Sequence, residues 1–175
     1  RTRLLVGMAG SDEAAAAAPY DVRYQYLAGQ LPPAAGCATC GAGPGCDAAW
    51  WGCWQENGVA PGLFVGRFIA AAKARGQLPW LTYYLVLPAS GLAEGTSEIP
   101  AVNDAAFLTR YLDDWRFLLR QIGGEKVLLH HEPDFWGYGQ HLSADPHAIP
   151  AEVQAAAPGE CGTMENSLAG LGACL

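Results

Sequence analysis

The segment LFVGRFIAAAKARGQLPWLTYYLVL, residues 63–87, decides the fold class of this chain. Its first half has apolar side chains at positions 64, 65, 68, 69 and 72, the spacing of an amphipathic helix, and Gly76 marks its expected end. Its second half, residues 80–87, is a β-prone run between Pro79 and Pro88, typical of a buried strand. A helix that leads directly into such a strand predicts a parallel sheet.

The same alternation continues on both sides of that segment. The other predicted elements are strands at 4–9, 21–28 and 126–131, a short helix at 14–18, a helix at 104–122 capped by Asn103, and a weakly helical tail from about 164. The order β-α-β-α-β-α-β predicts an α/β fold of about four βα units, with helices packed outside a parallel sheet.

Four units correspond to half of an eightfold barrel, and complete barrels need about 250 residues. We therefore interpret residues 1–175 as a single (β/α) barrel-like domain, an incomplete TIM-type barrel from a truncated chain. An open sheet exposes an apolar edge, so we expect a lone copy to form a homodimer or to aggregate.

Composition excludes two classes of partner. The net charge is −7 with only 10 Lys and Arg residues, and a nucleic acid is bound through clustered basic side chains, so no nucleic acid is expected. No apolar run approaches the roughly 20 residues that span a bilayer, so no membrane is expected either. The start at Arg1 shows no complete signal peptide.

A Cys/Trp-rich insertion at about 29–58 interrupts the regular pattern, and two interpretations compete for its cysteines. Disulfides would hold the long loop together in a secreted or periplasmic protein, and this interpretation is favoured. Four thiolates binding zinc are the alternative, although two of the cysteines are seven residues apart, unlike a zinc knuckle. The predicted pairs are drawn from Cys37, Cys40, Cys46 and Cys53, with Cys161 joined to Cys174.

The most informative stretch for chemistry is HHEPDFWGY, residues 130–138, which follows the last predicted strand. On an extended chain His130, Glu132 and Asp134 share one side, and functional groups of parallel α/β folds gather at strand ends. Burial beside aromatics would raise the pKa of Glu132, as a general acid requires. The alternative is a carboxylate satisfied by an Arg or Tyr in the core. Asp113 and Asp114 are expected at the solvated surface of their helix.

These residues resemble two patterns of sugar-cleaving enzymes. His131-Glu132-Pro133 resembles the Asn-Glu-Pro at the end of strand four in clan A glycoside hydrolases, which implies that Glu132 is the acid/base. Glu132-Pro133-Asp134 is similar to the Glu-Pro-Asp of family-six cellulases, although residues 89–91 (ASG) replace the Arg-Asp-Cys element of that family. Both resemblances imply sugar hydrolysis on a (β/α) barrel.

Aromatic rings in strand-end loops favour a carbohydrate ligand, because sugar rings stack on Trp and Tyr. The predicted substrate-binding residues are Trp50, Trp51, Trp54, His130, Trp136 and Tyr138. Small loop cores built around tryptophan are the alternative.

A catalytic metal is a competing hypothesis. All four histidines, at 130, 131, 141 and 147, lie near Glu132 and Asp134, a mixture that suits zinc or copper. They lack the spacing of a hydrolytic H-E-x-x-H motif, so neither a metal nor another cofactor is expected.

The leading hypothesis is a secreted glycoside hydrolase that acts on a β-linked polysaccharide or oligosaccharide, with Glu132 as general acid and Asp134 as its partner. A noncatalytic carbohydrate-binding or structural fragment of a barrel is the alternative. A metal-dependent enzyme that uses the region 130–147 is the third hypothesis.

Overall fold

The computed structural model describes residues 4–175 and contains one four-stranded sheet. All neighbouring strands pair in parallel, in the order β1-β2-β3-β4. The strands are β1 Gly7–Ala9, β2 Val22–Leu27, β3 Leu78–Tyr83 and β4 Leu128–His131. The α/β class and the parallel sheet predicted from the sequence are confirmed.

Helices connect the strands and follow the last one. They are α1 Asp12–Ala16, α2 Leu63–Ala74, α3 Val86–Ser90, α4 Ala105–Ile122, α5 Pro133–Leu142, α6 Val153–Ala156 and α7 Leu168–Cys174. Short 3-10 helices lie at Trp51–Cys53, Thr96–Asn103 and Pro146–Ala148. None of the helices within residues 4–175 has both the length and the apolar content that crossing a bilayer requires.

The third strand is displaced from its predicted position at 80–87. It begins at Leu78, which pairs with Val22 of β2, and it ends at Tyr83. The chain then turns into α3, where Pro88 lies in the first turn and its missing N–H costs no hydrogen bond. Because β3 ends at Tyr83, the backbone N–H groups of Leu85 and Val86 lie at the carboxyl end of the sheet, beside Glu132.

The core lies on one face of the sheet. Val65, Phe68 and Ile69 of α2 are buried there, together with the apolar stripe of α4. Leu81 and Tyr83 of β3 belong to the same core, and both are fully buried. The three-and-four spacing seen in the sequence therefore marks the buried faces of both helices.

The other face of the sheet is open. Its side chains line a hollow of about 360 Å³ and include Tyr24, Tyr26, Trp80, Leu128 and His130. Tyr26 and Leu128 are 44% and 40% exposed, so these aromatic and apolar groups remain in contact with solvent.

All six cysteines form disulfides. The pairs are Cys37–Cys46, Cys40–Cys53 and Cys161–Cys174, which confirms the predicted grouping. No thiolate is left to bind zinc, so the zinc alternative is wrong. Three disulfides are consistent with a protein of an oxidising compartment.

Candidate acid/base site at the carboxyl end of the sheet

Glu132 occupies the junction between β4 and α5. Its backbone N–H donates to the carbonyl of Tyr83 at 2.8 Å, which continues the pairing with β3 by one residue. Its φ and ψ are 41° and 64°, and it is the one non-glycine residue with positive φ in the described part of the chain. A left-handed conformation is costly for a residue with a Cβ, so this turn is held by its surroundings.

This turn breaks the strand alternation expected from the sequence. Glu132 and His131 both contact Tyr111 of α4, on the core side, whereas His130 packs against Trp80 on the open face. The prediction that His130 and Glu132 share one side is therefore wrong, because the extended backbone ends at His131.

The two carboxyl oxygens of Glu132 have different surroundings. Oε1 accepts hydrogen bonds from the N–H groups of Leu85 and Val86, at 2.7 and 3.0 Å, and from the hydroxyl of Tyr111 at 3.0 Å. Oε2 is buried and has no hydrogen-bond partner among the described residues. The Tyr partner expected as the alternative to catalysis is thus present in the core, but it donates to only one of the two oxygens.

Burial raises the pKa of Glu132 to about 7, although the two amides and Tyr111 act in the opposite direction. The charge of Glu98 raises the pKa of Glu132 further. A carboxyl group with this pKa is present in both protonation states near neutral pH, as an acid/base catalyst requires.

Glu98 is a second buried carboxyl group, and it was not predicted from the sequence. It lies in the 3-10 helix Thr96–Asn103, and neither of its oxygens has a hydrogen-bond partner among the described residues. Burial raises the pKa of Glu98 to about 7, Asp134 and Glu94 raise it further, and the backbone of Gly95 acts in the opposite direction. Glu98 is 15 positions beyond Tyr83, the last residue of β3. The expectation that functional groups directly follow a strand therefore could not identify it.

His131 is enclosed by aromatic rings beside Glu132. The centre of its ring lies 4.8 Å from the ring centre of Trp115 and 5.8 Å from the ring centres of Tyr83 and Trp136. Burial, followed by the neighbouring His130, lowers the pKa of His131 to about 4, so this imidazole is neutral at physiological pH.

Trp50 and Trp51, predicted as substrate-binding residues, belong instead to the protein core. They are 3% and 0% exposed, so their faces are closed to a sugar ring. Their indole N–H groups donate to Asp114 at 2.7 and 2.8 Å, and Tyr83 donates to the same carboxylate at 2.8 Å. Asp114 is therefore buried, which corrects the prediction that it lies at the surface, whereas Asp113 is exposed.

The other predicted site residues divide between two places. Trp136 and Tyr138 lie on α5 directly after Glu132 and are half-buried. Asp134 is exposed in the first turn of α5, and it raises the pKa of Glu98 and of Tyr138. Trp54, in the disulfide-rich insertion, packs on Phe64 of α2, and His130 packs on Trp80 on the open face of the sheet. Neither residue belongs to the group around Glu132.

The four histidines are not brought together. Nδ1 of His147 lies against the carboxylate of Glu165, and His141 is exposed near the end of α5. His130 and His131 lie on opposite faces of the sheet. Within residues 4–175 no group of three or more His, Cys, Asp or Glu residues is arranged to hold a metal ion.

No protein-family model, curated protein or solved structure matches this chain.

Proposed function

We propose that this chain carries the acid/base carboxyl group of a glycan-cleaving site, and that Glu132 is the general acid. One observation carries the proposal: at the carboxyl end of a parallel sheet, Glu132 has a pKa of about 7, and its Oε2 has no partner within residues 4–175. A general acid at neutral pH needs a raised pKa, and an oxygen that accepts no other hydrogen bond can carry the transferable proton.

The topology supports a barrel-like site. Strands that follow one another in the sheet, with the helices α2 and α4 on one face, are the arrangement of consecutive units in a (β/α) barrel. In this interpretation the chain is an incomplete TIM-type barrel, and the open face corresponds to the barrel interior. Active sites of such barrels lie at the carboxyl ends of the strands, where Glu132 and Glu98 are found.

Glu98 is the second carboxyl group that we assign to this site. Its charge raises the pKa of Glu132, and its own oxygens accept no hydrogen bond from the part of the chain that the structure describes. Glycoside hydrolysis uses two carboxyl groups, one that protonates the leaving oxygen and one that acts on the opposite face of the sugar. Asp134, the partner expected from the sequence, acts on the pKa of Glu98 instead.

The proposed substrate is a β-linked polysaccharide or oligosaccharide. Trp136, Tyr138 and Tyr84 are half-buried near the two carboxyl groups and offer rings on which sugars stack. The resemblance of residues 132–134 to the Glu-Pro-Asp of cellulases favours the β linkage. The three disulfides support a secreted or periplasmic enzyme.

Release of reducing sugar from a panel of β-linked polysaccharides tests the proposal. Glu132→Gln retains the shape of the side chain but removes the transferable proton, so we expect a loss of activity on the order of a hundredfold or more. Asp113→Asn is the matched control, since this exposed carboxylate lies on the outer surface of α4. Equal rates for wild type and Glu132→Gln would refute the role of Glu132.

A noncatalytic carbohydrate-binding or structural domain is the second candidate. Glu132 is fully buried and its Oε1 is held by three donors, which also suits a purely structural carboxyl group. A wild-type protein that binds a polysaccharide in calorimetry, but cleaves none of the panel, would favour this candidate over the hydrolase.

A further inference from the structure

Four side chains, those of Trp136, His131, Tyr111 and Glu132, form one continuous hydrogen-bonded chain. The indole Nε1 of Trp136 lies 3.2 Å from Nδ1 of His131, and Nε2 of the same imidazole lies 2.8 Å from the hydroxyl of Tyr111. That hydroxyl lies 3.0 Å from Oε1 of Glu132. The chain joins α5, β4 and α4, three elements that meet at the carboxyl end of the sheet.

The direction of each hydrogen bond follows from the donors available. An indole N–H can only donate, so Nδ1 of His131 is the acceptor and carries no proton. His131 is neutral, because burial lowers its pKa to about 4, and its single proton is therefore on Nε2. Nε2–H donates to the oxygen of Tyr111, and the one proton of Tyr111 is directed to Oε1 of Glu132.

Oε1 of Glu132 is consequently occupied as an acceptor. It receives the Tyr111 hydroxyl and two backbone N–H groups, which leaves no room for a proton of its own. The proton of the neutral acid then resides on Oε2, the oxygen without a partner among the described residues.

We propose that Trp136, His131 and Tyr111 are positioning residues that fix the acidic proton of Glu132 on Oε2 and hold Oε1 as a permanent acceptor. This inference deepens the proposed function, on which its catalytic meaning rests.

The arrangement has a defined chemical consequence. When Oε2–H protonates a glycosidic oxygen, the O–H bond to Glu132 breaks and its electron pair stays on the carboxylate. The new O–H bond forms on the leaving oxygen, which takes the electron pair of the breaking C–O bond. The anomeric carbon accepts an electron pair from a water molecule in its place, and the proton of that water passes to the carboxylate of Glu98 in the proposed function. The three donors on Oε1 stabilise the carboxylate that is produced without moving, which is how preorganised donors favour a charge that develops in a reaction.

The first test reads the proton on His131 directly. In ¹⁵N NMR of histidine-labelled protein, assigned through the signals missing in His131→Asn, we expect His131 to be neutral at pH 7 with the proton on Nε2. Trp136→Phe removes the indole N–H that donates to Nδ1 of His131, so the Nδ1-protonated tautomer should become populated as well. Trp54→Phe is the matched control, because its indole donates to the carbonyl of Ala48 in another region. A proton on Nδ1 in the wild-type protein would overturn the inference.

The second test reads the carboxyl group. The titratable side chains that face Glu132 are Tyr83, Tyr84, Glu98, Tyr111 and His131. Tyr111 donates to the charged form, so Tyr111→Phe should raise the pKa of Glu132 by on the order of one pH unit in a ¹³C carboxyl titration. Tyr24→Phe, on the open face of the sheet, should leave this pKa unchanged. An unchanged pKa in a folded Tyr111→Phe protein would contradict the proposal.

Both measurements are made without substrate, so they separate this inference from the proposed function. If Tyr111→Phe does not fold, the tautomer of the wild-type protein decides. An Nε2-protonated His131 in a protein that cleaves no glycan would support the hydrogen-bonded chain and refute the hydrolase. Glycan cleavage that depends on Glu132, in a protein with Nδ1-protonated His131, would do the reverse.

Discussion

Asp114 and Glu132 are two buried carboxyl groups that differ in how their hydrogen bonds are distributed over their oxygens. Asp114 accepts a hydrogen bond from Tyr83, and Glu132 accepts one from Tyr111, whose ring packs against that of Tyr83. Burial raises the pKa of Asp114 to about 6 and that of Glu132 to about 7, and each carboxyl group accepts three hydrogen bonds. The bonds to Asp114 are divided between both of its oxygens. All three bonds to Glu132 end on Oε1.

The comparison shows that burial and a raised pKa alone do not identify a functional carboxyl group. Asp114 joins the disulfide-rich insertion to α4 and β3, and both of its oxygens are used in doing so. Glu132 lies at a strand end in a backbone conformation that glutamate rarely adopts, and one of its oxygens has no partner among the residues from 4 onward. The distribution of partners over the two oxygens separates a structural carboxyl group from a candidate catalytic one.

The largest expected effect is the loss of stability in Asp114→Ala. This variant leaves two buried indole N–H groups, on Trp50 and Trp51, without an acceptor, and it leaves the Tyr83 hydroxyl only its longer bond of 3.3 Å to the carbonyl of Tyr111. Each such group costs roughly 1–3 kcal/mol, so we expect the free energy of unfolding in urea to fall by about 3–5 kcal/mol. Asp113→Ala, one residue away and exposed, should change it by less than about 0.5 kcal/mol. Equal losses would remove the structural role of Asp114.

The disulfides offer a matched pair of variants that sharpens the comparison. Cys40–Cys53 and Cys161–Cys174 both join residues 13 apart, so the chain-entropy cost of removing either is similar, about 3 kcal/mol. Cys40–Cys53 also tethers the segment that carries Trp51. We expect the double Cys40→Ser/Cys53→Ser variant to lose more stability than Cys161→Ser/Cys174→Ser. The opposite order would show that the tether does not support Asp114.

Glu132→Gln should have a smaller effect on stability than Asp114→Ala. The glutamine oxygen can still accept from Leu85, Val86 and Tyr111, and the N–H₂ group takes the place of Oε2, which has no hydrogen-bond partner among the described residues. Because buried donors without an acceptor destabilise the folded state, we expect the free energy of unfolding to fall by about 1–3 kcal/mol. A loss above about 3 kcal/mol would place Glu132 in the same structural class as Asp114.

The raised pKa of Glu132 also predicts a change in the pH dependence of stability. The pKa of Glu132 is raised in the folded protein from 4.5 to about 7, so the folded state binds more protons than the unfolded state between these values. The stability that Glu132 contributes to the folded protein is fully present below pH 4.5 and is lost as the pH rises through 7. The stability of Glu132→Gln should therefore improve relative to wild type from pH 5 to pH 8, measured by urea denaturation. A difference that is constant with pH would contradict the raised pKa.

The sequence predicted the elements whose signals are local. The apolar spacing of α2 and α4 and the β-prone runs gave the helices, the parallel sheet and the position of Glu132 at a strand end. Asp114 escaped prediction because it interrupts the apolar stripe of α4, and only its partners from a distant loop show that it is buried. Glu98 escaped because it is far along the chain from β3. The turn at Glu132 gave no signal either, since no glycine marks it.

The positions of the disulfides bear on how the chain folds. Each one closes a loop between cysteines only 9 or 13 residues apart, whereas every strand pairing brings together segments separated by a helix. Closing a short loop has a low entropic cost, so oxidation need not wait for the slower assembly of a parallel sheet. No disulfide joins one strand to another, so the sheet can separate and form again with all three bonds intact. A chain that is unfolded in the absence of reductant keeps these bonds during refolding.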